Sequence, residues 1–185
     1  KYFWVRAYSP KPGQFVTVFE DITERKNMEN TLREMAYRDF LTGLHNRRYL
    51  ESQQENWEGE EHLPLSVVIG DVNGLKIIND SMGHQKGDEY LQRAAQVFRQ
   101  VARPGDLVIR WGGDEFVLIC SRTSEGEAHG LCARIGQLCQ GSQGAPVLSI
   151  ALGCATKTNR EESLAQVLRE AETRMYQQKL NSAES

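Results

Sequence analysis

Arg110-Trp111-Gly112-Gly113-Asp114-Glu115-Phe116 joins two apolar runs, Leu107–Trp111 before it and Glu115–Cys120 after it. Adjacent glycines between β-forming runs tolerate positive φ and let a ligand come close to the backbone, so the stretch predicts a β-hairpin with its tip at Gly112-Gly113. Two carboxylates follow at once, and no Lys or Arg beside them neutralises both. They need a cation or solvent, and on these residues alone a surface turn with solvated acids is the more ordinary reading.

Outward from the hairpin, helices and strands alternate. Val67-Val68-Ile69-Gly70-Asp71 closes an apolar run that begins at Leu65, which predicts a buried strand ending in an acid. Helices are predicted at about 47–54, 88–102, 127–140 and 163–180, and a further strand at about 147–155. Parallel crossovers mixed with an antiparallel hairpin make an α+β fold, an α/β sandwich in which helices cover a mixed sheet. Asp71 then lies at the C-terminal end of its strand, where open α/β sheets bind ligands. Two acids from different strand ends form a plausible site for a hard cation. Mg²⁺ suits it, because it takes a few carboxylate or carbonyl oxygens and keeps water and phosphate oxygens as its other ligands. Lys76, shortly after Asp71, is placed to meet a phosphate as a point charge.

Gly112-Gly113-Asp114-Glu115-Phe116 resembles the signature of the GGDEF family of diguanylate cyclases. Asp39-Phe40-Leu41-Thr42-Gly43-Leu44-His45-Asn46-Arg47-Arg48 looks like the opening DxLTGLxNRR of that family, and Asn79-Asp80-Ser81-Met82-Gly83-His84-Gln85-Lys86-Gly87-Asp88 looks like its NDxxGHxxGD segment. The resemblance implies a palm-like sheet related in layout to nucleotidyl cyclases. It also implies condensation of two GTP into cyclic di-GMP and pyrophosphate by a homodimer that uses Mg²⁺ or Mn²⁺. By the same resemblance Asp71, the Val72 carbonyl and Asp114 hold metal, and Asp114 or Glu115 assists catalysis. Asn79 and Asp88 read guanine, which offers N1–H and 2-amino donors where adenine offers neither. Lys76 and Lys179, the latter in Ala171-Glu172-Thr173-Arg174-Met175-Tyr176-Gln177-Gln178-Lys179, meet the triphosphate. Ala183 stands where many members carry arginine, and Asn73-Gly74-Leu75 departs from the commoner form of its segment. Arg103-Pro104-Gly105-Asp106 has the form and spacing of the family's inhibitory product site, although Pro-Gly also reads as an ordinary turn.

Before the opening motif, 2–8 and 14–19 predict two β-runs that resemble the C-terminal edge of a PAS-like sensor domain covering 1–20. A linker or signalling helix follows over 21–38, capped by Asp21 and Glu24, with Ile22, Met28, Leu32 and Met35 at helical spacing. The 4,3 step from Met28 to Met35 suits a short parallel coiled coil. The catalytic domain is expected over 39–185. A silent domain that only binds GTP or cyclic di-GMP, and a purely structural dimerisation module, are the competing expectations.

The whole composition is that of a soluble globular protein. Among 185 residues, 22 Lys and Arg against 25 Asp and Glu give a formal charge of −3 with no dominant basic run, which argues against nucleic-acid binding. No apolar run reaches the roughly 20 residues that cross a bilayer. A cytoplasmic location is expected, with any membrane tether upstream. Cys120, Cys132, Cys139 and Cys154 form no CxxC pair and are expected as free thiols.

Overall fold

The computed structural model describes residues 1–142 and 144–183, without the side chains of 182 and 183. The chain divides into two compact units, Lys1–Tyr37 and Arg38–Ser185. In the first, β1 (Phe3–Tyr8) and β2 (Val16–Asp21) pair antiparallel, followed by α1 (Thr23–Tyr37). Asp21 caps α1 by accepting from Thr23 N at 2.9 Å. Nothing in α1 is buried. Its stripe of Met28, Leu32 and Met35 stays in the open at 57, 65 and 74% exposure.

The second unit is built on a five-stranded mixed sheet: β3 (His45–Asn46), β4 (Leu65–Val72), β5 (Leu107–Arg110), β6 (Glu115–Cys120) and β7 (Ile150–Lys157), in the order β3-β5-β6-β4-β7. β4 is antiparallel to both β6 and β7, and β6 is antiparallel to β5. Each expected parallel crossover therefore returns with one strand between its ends: β4 to β5 brackets β6, and β6 to β7 brackets β4. The directly paired parallel strands are β3 and β5. The result is the helix-covered mixed sheet that the alternation predicts.

β4 is buried along its whole length, as a central strand with two covered faces must be. Val68 and Val72 face one core with Phe116, Leu118 and α4 (His84–Val101) and α5 (Glu125–Gly141). Leu65, Val67 and Ile69 face the other, with Val117, Ile119, α2 (Arg47–Gln53) and α6 (Leu164–Ala183). Gly70 interrupts the apolar run because Phe98 occupies the space: a Cβ there would lie 2.7 Å from the Phe98 ring, which stacks on Phe116 at 5.4 Å.

Some predicted boundaries shift. The expected helix from Asp88 begins at His84, and a separate helix, α3 (Leu75–Met82), precedes it. Gly83 lies between them at φ +85°, a conformation glycine adopts without a Cβ clash. α5 starts earlier than predicted because Ser124 and Glu127 form a reciprocal capping box. The last strand starts three residues later than predicted, since Val147 to Ser149 bond to side chains and loops outside the ladder. All four cysteines are free.

Candidate active site

Asp71 and Glu115 are direct cross-strand partners on β4 and β6. Directly opposed residues put their side chains on the same face, here the face covered by α6. Asp114 precedes β6, and its carbonyl accepts from Val72 N at 2.9 Å. Trp111 N donates to Glu115 O at 2.8 Å and closes the tip. The three acids expected at the two strand ends are thus brought together, with Glu115 rather than Asp114 facing Asp71 across the ladder.

α6 completes the cluster. Its buried residues Leu164, Val167, Ala171 and Met175 recur at three- and four-residue steps, and the next position on that stripe is Lys179. Gly153 allows the helix to lie on β7, since a Cβ there would meet Ala171 O and Met175 N at 2.2 Å. Lys179 Nζ consequently donates to Asp71 Oδ1 at 2.7 Å, against a carboxylate only 9% exposed. The residue expected at a triphosphate is held instead by an acid of the cluster. Glu172, one face and seven residues earlier, adds a fourth negative charge that the sequence reading missed. Its spacing from Lys179 carries the signal, two helical turns on one side.

Charges do not cancel here. Burial pushes the Glu115 carboxyl above the usual range, Asp71, Asp114 and Glu172 push it the same way, and Lys179 pulls it down. Lys179 is held above its ordinary value by its hydrogen bond to Asp71. Among the described residues no three His, Cys, Asp or Glu side chains converge closely enough to cage a metal by themselves. The donor set nevertheless fits a hard divalent cation that takes part of its shell from phosphate and water: carboxylate oxygens in excess of cations, at the ends of two paired strands.

The tip is braced from the opening motif. Arg110 donates through Nη1 to both Asp39 oxygens at 3.1 Å and through Nη2 to Gly113 O at 2.6 Å. Asp39 also accepts from Thr42 N at 2.8 Å and Thr42 Oγ1 at 2.6 Å. Burial opposes its ionisation, but the bonds from Thr42 and Arg110 outweigh that and hold the carboxyl below the usual range. Asn46 caps α2 by accepting from Tyr49 N, and the Arg47 guanidinium lies 4.7 Å over the Trp111 ring. The DxLTGLxNRR block therefore works as scaffolding for the hairpin.

Asn79 on α3 packs against Gly87, the residue before Asp88 on α4, and only a residue without Cβ fits there: a Cβ would lie 1.9 Å from Asn79 Oδ1. Asp88 and Lys76 are exposed. In the Arg103–Asp106 turn, Arg103 N donates to Asp106 Oδ2 at 2.8 Å and Asp106 N to Arg103 O at 3.0 Å. The Arg103 guanidinium reaches Thr123 Oγ1 at 2.5 Å and is 52% exposed, while the Asp106 side chain is 4% exposed. Ala183 falls among the side chains outside those described.

Comparison with known proteins agrees with this architecture. The family profile described as "Diguanylate cyclase, GGDEF domain" matches residues 36–185. Diguanylate cyclase DgcM of Escherichia coli K12 is 35% identical over 168 residues, 88% of this chain and 40% of DgcM. The response regulator PleD of Caulobacter vibrioides is 34% identical over 165 residues, 84% of this chain and 36% of PleD. The chain thus spans about two fifths of the length of these relatives. The coiled coil and GGDEF domain of DgcB from Caulobacter crescentus, solved with c-di-GMP, superposes with a TM-score of 0.79 at 22% identity, covering 87% of this chain and 90% of that one.

Proposed function

Because the chain belongs to the GGDEF-domain diguanylate cyclase family, we propose that its second unit condenses two GTP molecules into cyclic di-GMP and pyrophosphate at the Asp71–Asp114–Glu115 cluster. The observation that carries this reading is the direct opposition of Asp71 and Glu115 on β4 and β6 with Asp114 beside them, like charges that raise the Glu115 carboxyl against the pull of Lys179. Asn79 and Asp88 would select guanine by accepting from its N1–H and 2-amino group, and Lys76 would meet the phosphates. Asp71, Asp114 and the Val72 carbonyl would hold Mg²⁺ or Mn²⁺, which when bound supplies Lewis-acid stabilisation of developing phosphate charge.

The remaining chemistry falls to side chains. A 3′-hydroxyl of one nucleotide attacks the α-phosphorus of the other, its proton leaves and pyrophosphate departs. Glu115, with its carboxyl held above the usual range, is suited to take that proton. Lys179 would exchange Asp71 for a phosphate oxygen when substrate enters. The product carries two equivalent phosphodiester bonds, so two domains must face each other about a two-fold axis. The exposed Met28, Leu32 and Met35 stripe of α1 supports pairing with a second copy. A PAS-like origin for the hairpin is supported by its apolar side chains, which are open on both faces. Among the described residues no helix is long and apolar enough to cross a membrane, and a cytoplasmic site of action is the reading adopted.

Product feedback is proposed at Arg103 and Asp106, where the half-exposed guanidinium is the group available to a guanine or phosphate. Incubation with GTP and Mg²⁺ followed by chromatography tests the function. Cyclic di-GMP appearing with pyrophosphate supports it. Nucleotide bound without turnover would assign the chain to the silent receptors instead.

A further inference from the structure

The segment leaving β4 carries the Val72 carbonyl and then Asn73, and it is fastened from outside the acid cluster. Asn73 N donates to Ser149 O at 2.9 Å, and Asn73 Nδ2 donates to Ser149 Oγ at 3.0 Å. Ser149 N donates in turn to the Tyr90 hydroxyl at 3.0 Å, and that hydroxyl donates to Val147 O at 3.0 Å. Tyr90 is 3% exposed, so its phenol is a buried polar group with both donor and acceptor engaged. Arg93, one turn further along α4, donates to Pro146 O at 2.9 Å and steadies the same approach to β7.

Tyr90 follows Asp88 by two positions on α4. At 3.6 residues per turn, two positions differ by roughly 200° around the helix. One turn therefore aims Asp88 outward and Tyr90 inward, and Asp88 is exposed while Tyr90 is buried. The inward residue reaches the loop before β7. Through Ser149 it ties α4 to Asn73, the residue that follows β4.

We infer that Tyr90 is a positioning residue of the nucleotide site: acting through Ser149 on Asn73, its hydroxyl fixes the phosphate-side segment 72–76 relative to the base-reading end of α4. This rests on the reading of the chain as a GTP-using enzyme. Apolar burial of the ring would be served equally by phenylalanine, so the hydroxyl and its two bonds are what the inference concerns. The strut sets the distance between where guanine and where the triphosphate are held. Loosening it costs affinity for the whole nucleotide without changing which base is preferred.

The test is calorimetric titration with MgCl₂ and a GTP analogue carrying a methylene between the α and β phosphorus atoms, on the full chain and its Tyr90→Phe, Asn73→Ala and double variants. Tyr90→Phe is expected to weaken binding about three- to tenfold, the size of one net hydrogen bond. The loss in the double variant should be smaller than the product of the two single losses, because both act through Ser149, to which Asn73 N still donates in the alanine variant. Ser149→Thr, which keeps the hydroxyl, should retain affinity, and the ratio of GTP to ATP turnover should be unchanged in Tyr90→Phe. Wild-type affinity in Tyr90→Phe, or losses that multiply in the double variant, would overturn the inference while leaving the enzyme reading intact. A wild-type chain that binds no analogue overturns both.

Discussion

Two acidic turns flank β5, and they treat their charges in opposite ways. In the turn before it, Asp106 is folded back onto the backbone of Arg103 and its side chain is 4% exposed, with the Arg103 guanidinium 3.6 Å away. In the turn after it, Asp114 and Glu115 join Asp71 and Glu172 with Lys179 as the cation that pulls on Glu115. The first turn has satisfied its acid within four residues. The second holds like charges together against their repulsion, which a fold keeps only where rigid surroundings impose it. Here those surroundings are the β4–β6 register, the Arg110–Asp39 brace beneath the tip and the close seat of α6 on Gly153. An acid that is already satisfied shapes a loop, and acids left in excess are available to a cation and a reacting phosphate.

The sharpest way to break this contrast is Asp114→Ala. It should lower GTP turnover by about 100-fold or more, beyond the 10–100-fold that losing a mere supporting partner of a metal ligand costs. A variant that keeps a tenth of wild-type activity would put the excess-charge cluster outside the chemistry. Circular dichroism must show the fold retained, since Val72 bonds the backbone of Asp114 and not its side chain.

A smaller and purely thermodynamic test uses Glu115. Its carboxyl is held above its unfolded value, so between the two values the folded state binds more protons than the unfolded one and stability falls as pH rises. Glu115→Gln removes that penalty. In metal-free buffer the variant should melt higher than wild type at neutral pH, and the advantage should vanish as the pH falls below the ordinary glutamate range. Equal melting curves at both ends would mean that the acids do not repel. The smallest expected effect lies in the other turn: Arg103→Ala should leave the initial rate unchanged in the absence of product and reduce inhibition by added cyclic di-GMP. Progress curves with equal product sensitivity in both proteins would leave that turn a structural element only.

Much of this was legible in the residues. The apolar run ending in Asp71 and the Gly-Gly-Asp-Glu tip fixed the two strand ends, because a buried strand and a glycine turn are local features. Gly83 and Gly87 lie in a recognisable motif, but their separate tasks, a positive φ and a close approach by Asn79, appear only in space. α3 was hidden because eight residues bounded by Gly74 and Gly83 look like a loop. The partner of Lys179 was not legible either. That contact depends on Gly153 admitting α6 against β7, and a single glycine in a strand carries no hint of which helix will cross it. Asp39 offered a fair signal in Thr42 three residues on, whereas its bond to Arg110, 71 positions away, follows from tertiary packing.

The most direct measurement of the central claim is the yield of cyclic di-GMP from GTP as MgCl₂ is raised from zero in chelator-treated protein. The account predicts no product without metal, saturating turnover as Mg²⁺ is added, and two GTP consumed for each cyclic di-GMP formed. GTP that binds at every Mg²⁺ concentration without yielding product would contradict it.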